Sequence, residues 1–488
     1  MLKSKFLDIV KTFSPEELRG FRNFVRSPFH NTNKNVIKVN EIVKKYYPDL
    51  NNEGLLKEKV FSKIYPGKKY NDIVMRILLS DLMKLAEEFL AYINFNKNPL
   101  SEKRFLMNEL NERKLNVLFN RHLNSSRDML GENNVGNNSI DVNYFLNLHQ
   151  LETLQIDHMI SRSKQADTGE NVLRQGEYLI NFFLINILNI SDELVSHEEV
   201  LNLKFDFNIV EEFLNNFNIK QFIEYLKENN YKYHPVLSIY YYMYLCNVNP
   251  ENDNYYFTFK DLIFTNLNLF TKEERFNLFI ILESICTSKT LSGKTQFYEQ
   301  MMLIYETMLS NNLYTHSDTE YFQINLFRNM IYTAVVLKKP DWIEKFIIEY
   351  LDKLMPEYRD EVYHFAYTLI YFEKKEFSKA LDEISKVRYD FYVFKFDVRL
   401  FTLKIYYEMN SFESAISLID TFTHFLNNNK SDLKNYRNSF FEFLKFLKQL
   451  IKIKTGNKKT DKNEIKKEIL ATERLINKNW LLEKADEL

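Results

Sequence analysis

The segment from Tyr371 to Phe422 carries one pattern written twice. Tyr371, Phe372, Glu373, Phe377, Ala380, Leu381, Ile384 and Val387 are matched, each 35 residues on, by Tyr406, Tyr407, Glu408, Phe412, Ala415, Ile416, Ile419 and Phe422. A period in this range belongs to stacked helical hairpins, because one hairpin cannot shield its own apolar face and has to lie against the next. In each copy an aromatic pair ends a first helix, a short turn follows (Lys374 to Glu376, Met409 to Ser411), and an aromatic opens a second helix. Phe377, Ala380 and Ile384 are spaced by three and four, so they share one helical face. The alanine lets two helix backbones approach, and a large side chain forced into such a contact costs about 1–3 kcal/mol.

Over residues 361–427 this pattern resembles the tetratricopeptide repeat (TPR), with its aromatic late in the first helix, its aromatic opening the second, and then a small residue and a large apolar one. It departs from that family in the middle of the first helix, where a small residue is usual and this chain has Thr368 and Leu403. A third copy read 35 residues before Phe377 starts at Trp342 and puts Lys345 in the alanine slot. The resemblance implies an all-α, TPR-like solenoid that binds a protein or peptide; a fold by itself names no partner.

Nine Gly and nine Pro in 488 residues are few breakers, which suits long helices with short connections and disfavours a β-protein with many turns. The 42 Phe and 31 Tyr are read as core filling. The net charge of −1 hides a division: residues 1–100 carry +7, residues 430–488 carry +6, and the body between them carries −14. Basic ends flanking an acidic body can steer partners or fold back. Cys246 and Cys286 are too few for a disulfide framework and are read as reduced core thiols. The first fifteen residues lack the apolar run of a signal peptide. The most apolar stretch, Leu179 to Ile190, is interrupted by Asn181, Asn186 and Asn189 and reads as too short to span a bilayer. The expected location is cytoplasmic.

In chain order, residues 1–94 read as a basic helical N-terminal module. Ser14, Pro15 and Glu17 form a capping box, followed by helices from about Lys34 to Tyr46, about Glu53 to Ile64, and through Met75 to Tyr92. The asparagine-rich Asn94 to Pro99 marks a boundary. Residues 100–165 read as a long helical hairpin, with helices from about Glu102 to Leu130 and Asp141 to Ser161 joined by Gly131 to Asn138. Residues 170–430 read as the solenoid, with helix starts at the boxes Ser196 to Glu199, Thr271 to Glu274 and Ser317 to Glu320 and a loop at Asn247 to Asn254. Residues 431–488 read as capping helices, from about Leu433 to Lys454 and Glu464 to Leu482, separated by a lysine-rich linker.

No residue set points to catalysis, a cofactor or a metal. Gly293-Lys294-Thr295 lacks the first glycine of a phosphate-binding loop, whose place is held by Ser288, and reads as a hairpin turn. Gly131 and Gly136 have the glycine spacing without the lysine. His149 and His158 lie nine residues apart, about 13 Å along a helix, and Asp157 and His158 diverge as helical neighbours do. Tyr240, Tyr241, Tyr242 and Tyr244 either line a peptide groove or pack between helices with their hydroxyls reaching water. Arg19, Arg22 and Arg26 share a helical face and, with Lys68 and Lys69, could contact phosphates, although no helix-turn-helix sequence accompanies them. Two functions are therefore carried forward: a non-catalytic protein-binding scaffold or adaptor, and a nucleic-acid-binding regulator with a basic N-terminal module and a repeat body.

Overall fold

The computed structural model describes residues 4–131, 140–201, 203, 205–317, 319–388, 394–428, 437–456, 462–472 and 475–488. The described residues are all-α, with no strand and one isolated parallel bridge between Ile140 and Phe270. They fall into two compact units, Met1–Met129 with Leu151–Gly169, and Leu130–Gln150 with Glu170–Leu488.

The first unit contains α1 (Lys5–Lys11), α2 (Pro15–Arg26), α3 (Lys34–Lys45), α4 (Lys57–Ile64), α5 (Asp72–Asn96), α6 (Pro99–Glu112), α7 (Asn116–Leu130) up to Met129, and the later part of α8 (Tyr144–Ile160). Phe89 of α5 centres its aromatic core, with the rings of Phe13, Phe21 and Phe24 lying 5.7, 5.4 and 5.5 Å away. Gly20 permits the close approach of α2, since a methyl there would stand 3.1 Å from Phe89 Cζ. Both halves of the α2 capping box form: the Glu17 amide donates to Ser14 Oγ at 3.1 Å, and the Ser14 amide donates to Glu17 Oε2 at 2.8 Å. The sequence reading passed over α1, whose seven residues are too few to show a period. It also ran α6 and α7 together. Lys114, at φ 59°, ends the first of these helices and lets Asn116 start the second.

The second unit contains α9 (Gly169–Leu201), α10 (Ile209–Asn216), α11 (Ile219–Glu228), α12 (His234–Val248), α13 (Asp253–Asn266), α14 (Lys272–Leu291), α15 (Phe297–Ser310), α16 (Ile324–Val336), α17 (Pro340–Tyr350), α18 (Arg359–Glu373), α19 (Phe377–Ile384), α20 (Asp397–Glu408), α21 (Phe412–Asn428), α22 (Arg437–Lys454), α23 (Lys462–Ala471) and α24 (Lys478–Asp486). From α11 to α22 each helix packs on its successor, α11 on α12 through to α21 on α22. Of the three further boxes, Thr271 caps α14, accepting from the Glu274 amide at 3.2 Å. Ser196 to Glu199 starts nothing, because it lies inside α9. Ser317 to Glu320 also starts nothing; the next helix begins at Ile324. The helix read from Glu464 to Leu482 is broken between Ala471 and Lys478, where Asn477 takes φ 51°. Leu179 to Ile190 belongs to a 33-residue helix, of which Gly169–Val195 is long and apolar enough by length and composition to cross a membrane. One side of that helix, with Tyr178, Leu184, Ile185 and Leu188, is buried in the protein.

The two matched copies are the hairpins α18–α19 and α20–α21. Each first helix ends on a left-handed residue, Lys375 (φ 60°) and Asn410 (φ 57°). The next amide reaches back five residues, Glu376 N to Tyr371 O and Ser411 N to Tyr406 O, both at 2.8 Å. This closure satisfies carbonyls that a helix end otherwise leaves open. Ala380 and Ala415 are both fully buried, and Ile384 and Ile419 are buried beneath them. The copy upstream is displaced by two residues from its sequence reading: its left-handed turn is Lys338, 37 before Lys375. The buried slot therefore belongs to Ile343 and not to Lys345, which is exposed.

Two measurements check this geometry. Lys375→Gly relieves a left-handed side chain that costs about 1–2 kcal/mol and is expected to raise the urea midpoint. Asn410→Gly should raise it less, since asparagine tolerates that conformation. Ala380→Leu is expected to lower the midpoint by about 1–3 kcal/mol of stability.

Candidate functional site

The basic face read from α2 is already engaged. Arg22 Nε and Arg26 Nε both meet Glu41 Oε1, at 2.7 and 3.0 Å. Their field holds the Glu41 pKa below the usual glutamate value, against a burial effect that raises it. Arg19 is exposed, with Glu16 4.0 Å away. Lys68 lies over the Tyr65 ring at 5.6 Å, and Lys69 is exposed.

The tyrosine cluster of α12 is mostly interior. Tyr240 is buried and its hydroxyl donates to Glu274 Oε1 at 2.5 Å, while Tyr241 is buried and Tyr244 half-buried. Tyr240 therefore packs between helices and lines no groove. Lys294 of the glycine-lysine-threonine sequence pairs with Asp253 at 2.9 Å in the turn after α14, where Gly293 takes φ 95°. His158 stacks on Phe119 with centroids 3.8 Å apart, and its Nδ1 lies 3.0 Å from Asn111 Oδ1. His149 Nδ1 lies 2.9 Å from the Gln175 carbonyl. The segment Gly131 to Gly136 lies outside the described residues beyond its first glycine.

An aromatic surface does exist, but on α18. Tyr363, Tyr367 and Tyr371 stand at i, i+4 and i+8, with centroids 4.5 and 6.0 Å apart; Tyr363 is 39% exposed and the other two are half-buried. Charges surround the stripe: Lys374 meets Glu344 at 3.7 Å, Lys386 meets Glu383 at 2.8 Å, and Lys379 lies over the Tyr371 ring at 5.4 Å. The stripe leads toward a shallow open depression lined by Lys375, Glu376, Phe377, Ser378, Lys379 and Met409. Half-exposed tyrosines with a charged rim give apolar contact and hydrogen bonding at low entropic cost, as docking anchors do. The four-residue spacing is readable in the sequence, but of the three tyrosines only Tyr371 recurs 35 residues on.

Buried ionic groups link the first helices of the hairpins. Arg328 of α16 holds Asp397, at the start of α20, through two bonds of 2.6 and 2.9 Å. Glu283 of α14 accepts from Tyr305 at 2.9 Å and Asn329 at 3.2 Å; burial raises its pKa against those two bonds. Lys404 of α20 sits among Phe401, Phe372 and Trp480, with Nζ 4.6, 4.7 and 5.4 Å from the ring centroids. Burial brings its pKa down to about 8, with Glu373 and Glu408 acting in the opposite sense.

No protein-family model, curated protein or solved structure matches this chain.

Arg328→Ala removes the guanidinium paired with the buried Asp397 carboxylate, and is expected to cost about 3–5 kcal/mol in urea unfolding. Lys404 makes a pH prediction. Between pH 8 and 10.5 the unfolded chain retains a proton that the folded chain has released, so this group makes stability rise with pH through that window. Lys404→Met replaces a cation that burial disfavours, so it should be neutral or stabilising at pH 7, and should remove the rise. The difference between the two proteins' stability curves measures it.

Proposed function

We propose that this chain is a non-catalytic adaptor of the cytoplasm, built as a TPR-like α-solenoid, and that the tyrosine stripe of α18 receives a segment of a protein partner. The observation that carries this reading is the stripe itself: Tyr363, Tyr367 and Tyr371 stand partly open on one helix of the most regular hairpin pair, with lysines and glutamates along both sides. The repeated turns and buried small slots support the solenoid, whose stacked hairpins are suited to holding an extended surface rigid.

The test is affinity purification of the full chain from its native lysate, with bound proteins identified by mass spectrometry. One protein should be recovered specifically, and Tyr363→Ala with Tyr367→Ala should weaken its binding at least tenfold, the scale of anchor residues losing about 2 kcal/mol or more. Recovery of nothing specific, or recovery unchanged by the double substitution, sinks the reading. The nucleic-acid alternative has less support, since Glu41 occupies two of its three arginines. Arg19, Arg22 and Arg26 replaced by alanine are expected to leave retention on DNA or RNA unchanged at every salt concentration.

A further inference from the structure

The two repeats share a glutamate, Glu373 in α18 and Glu408 in α20. Each stands at the end of a first helix, one residue before its cap, where the macrodipole disfavours a negative charge. A carboxylate repeated at an unfavourable position points to a cationic ligand.

That ligand is present for Glu408, and it is the chain's own last helix. Trp480 of α24 donates from Nε1 to Glu408 Oε1 at 3.0 Å, and Lys484 Nζ reaches the same oxygen at 2.9 Å. The two residues are four apart and so project from one side of α24. The Trp480 ring lies edge-on to Tyr407, with centroids 5.4 Å apart, and close to Lys404. Lys484 is buried and also meets Glu487 at 2.7 Å and Glu483 at 3.3 Å. Burial works against its charge, yet the bonds to Glu487 and Glu408 hold its pKa above the ordinary lysine value.

α24 has little stability of its own. It is nine residues long, far short of what holds a helix in water, no side chain caps its start, and the residue before it, Asn477, is left-handed. Its structure is maintained by what it docks against: α22 and α23 pack along it, Trp480 and Lys484 reach Glu408 of α20, and Leu481 and Ala485 are buried. The seat is different in kind. The rings of Phe372, Phe401 and Tyr407 and the carboxylates of Glu373 and Glu408 belong to the hairpins and are positioned by their packing.

The geometry points to α24 as an internal ligand: its Trp480 and Lys484 occupy a binding seat on α20, the first helix of the second matched hairpin, and a partner helix presenting a tryptophan and a lysine four residues later displaces it. The inference rests on the adaptor reading for its biological sense. It concerns a different surface from the α18 stripe, so the two can fail separately.

The experiment uses the full chain and a fluorescently labelled synthetic peptide of residues 476–488. In the unaltered chain the tethered helix competes, and the peptide should bind weakly. In the Trp480→Ala chain the tethered copy is loosened, and fluorescence anisotropy should report binding at least tenfold tighter; a peptide carrying the same substitution should not bind. Circular dichroism checks that the variant is folded, and Lys484→Ala serves as a second loosened chain should the first not fold. Hydrogen exchange on the unaltered chain supplies an independent readout, in which the α24 amides should exchange at least tenfold faster than those of α20. Equal protection of the two helices, or a folded loosened chain that takes up no peptide, overturns the inference and leaves α24 an integral cap. That outcome would not touch the α18 stripe, whose own test is partner recovery.

Discussion

The hairpins from α14 to α21 depend on how each first helix is stopped. A left-handed residue followed by an amide that reaches back five positions turns the chain sharply and satisfies the last carbonyls of the helix. The closure recurs at Lys114, Ser163, Asn230, Gly293, Asn312, Lys338, Lys375 and Asn410. Only one of these eight is glycine. The chain has nine glycines in all, and it accepts a strained side chain at most of these turns because the packing on both sides fixes the turn more firmly than the local preference opposes it. With the turn fixed, the second helix is committed to one face of the first, and Ala380 or Ala415 is carried into the contact.

Between hairpins the constraint is electrostatic. Apolar faces slide easily over one another, since a helix shifted by one turn still buries oil against oil. A buried carboxylate does not shift so freely. Asp397 has its partner only if α16 and α20 are in register, and Glu283 has Tyr305 and Asn329 only if α14, α15 and α16 are. The first unit uses the same device where Arg127 of α7 meets Glu152 of α8 at 2.6 Å, with Glu152 fully buried. Such pairs add little net stability compared with well-packed apolar side chains, but a misaligned pair leaves an ion without water or partner. Their effect is selection among registers.

Helices with strong periods were legible in the sequence. The α2 capping box, the α5 stripe and the paired hairpins could be read because each depends on local spacing that one segment contains. Boundaries were less legible, and asparagine is the reason. Asn33, Asn71, Asn98, Asn208, Asn218 and Asn252 all cap helix starts with their side chains. A search for serine or threonine followed by glutamate finds none of these, and it finds Ser196, which sits inside a helix. Asparagine and lysine also take the left-handed turns, where glycine would have been conspicuous. The candidate surfaces divide the same way. The tyrosine stripe is local and could be counted along α18, whereas the Lys404 cage takes rings from α18, α20 and α24, including a tryptophan 76 positions away in the chain, and no spacing rule brings those together.

The third hairpin shows what the repeat preserves. Counted by a fixed 35 residues, its alanine slot falls on exposed Lys345 and the copy looks degenerate. Counted from the left-handed turn at Lys338, the slot is Ile343 and the residue four further on is Ile347, both buried like their counterparts Ala380 and Ile384. The two extra residues are taken up after the slot, where α17 runs to eleven residues against eight in α19. Constant turn-to-slot geometry with variable second-helix length is what stacking demands: the turn and slot lie at the interface between helices, while the far end of a hairpin varies in length. One hairpin further upstream, at the end of α14, Gly293 precedes Lys338 by 45 residues, and a fixed period can no longer be recognised although the same closure is present. The periodic stretch is therefore the part of a longer series of hairpins in which the connecting lengths happen to agree.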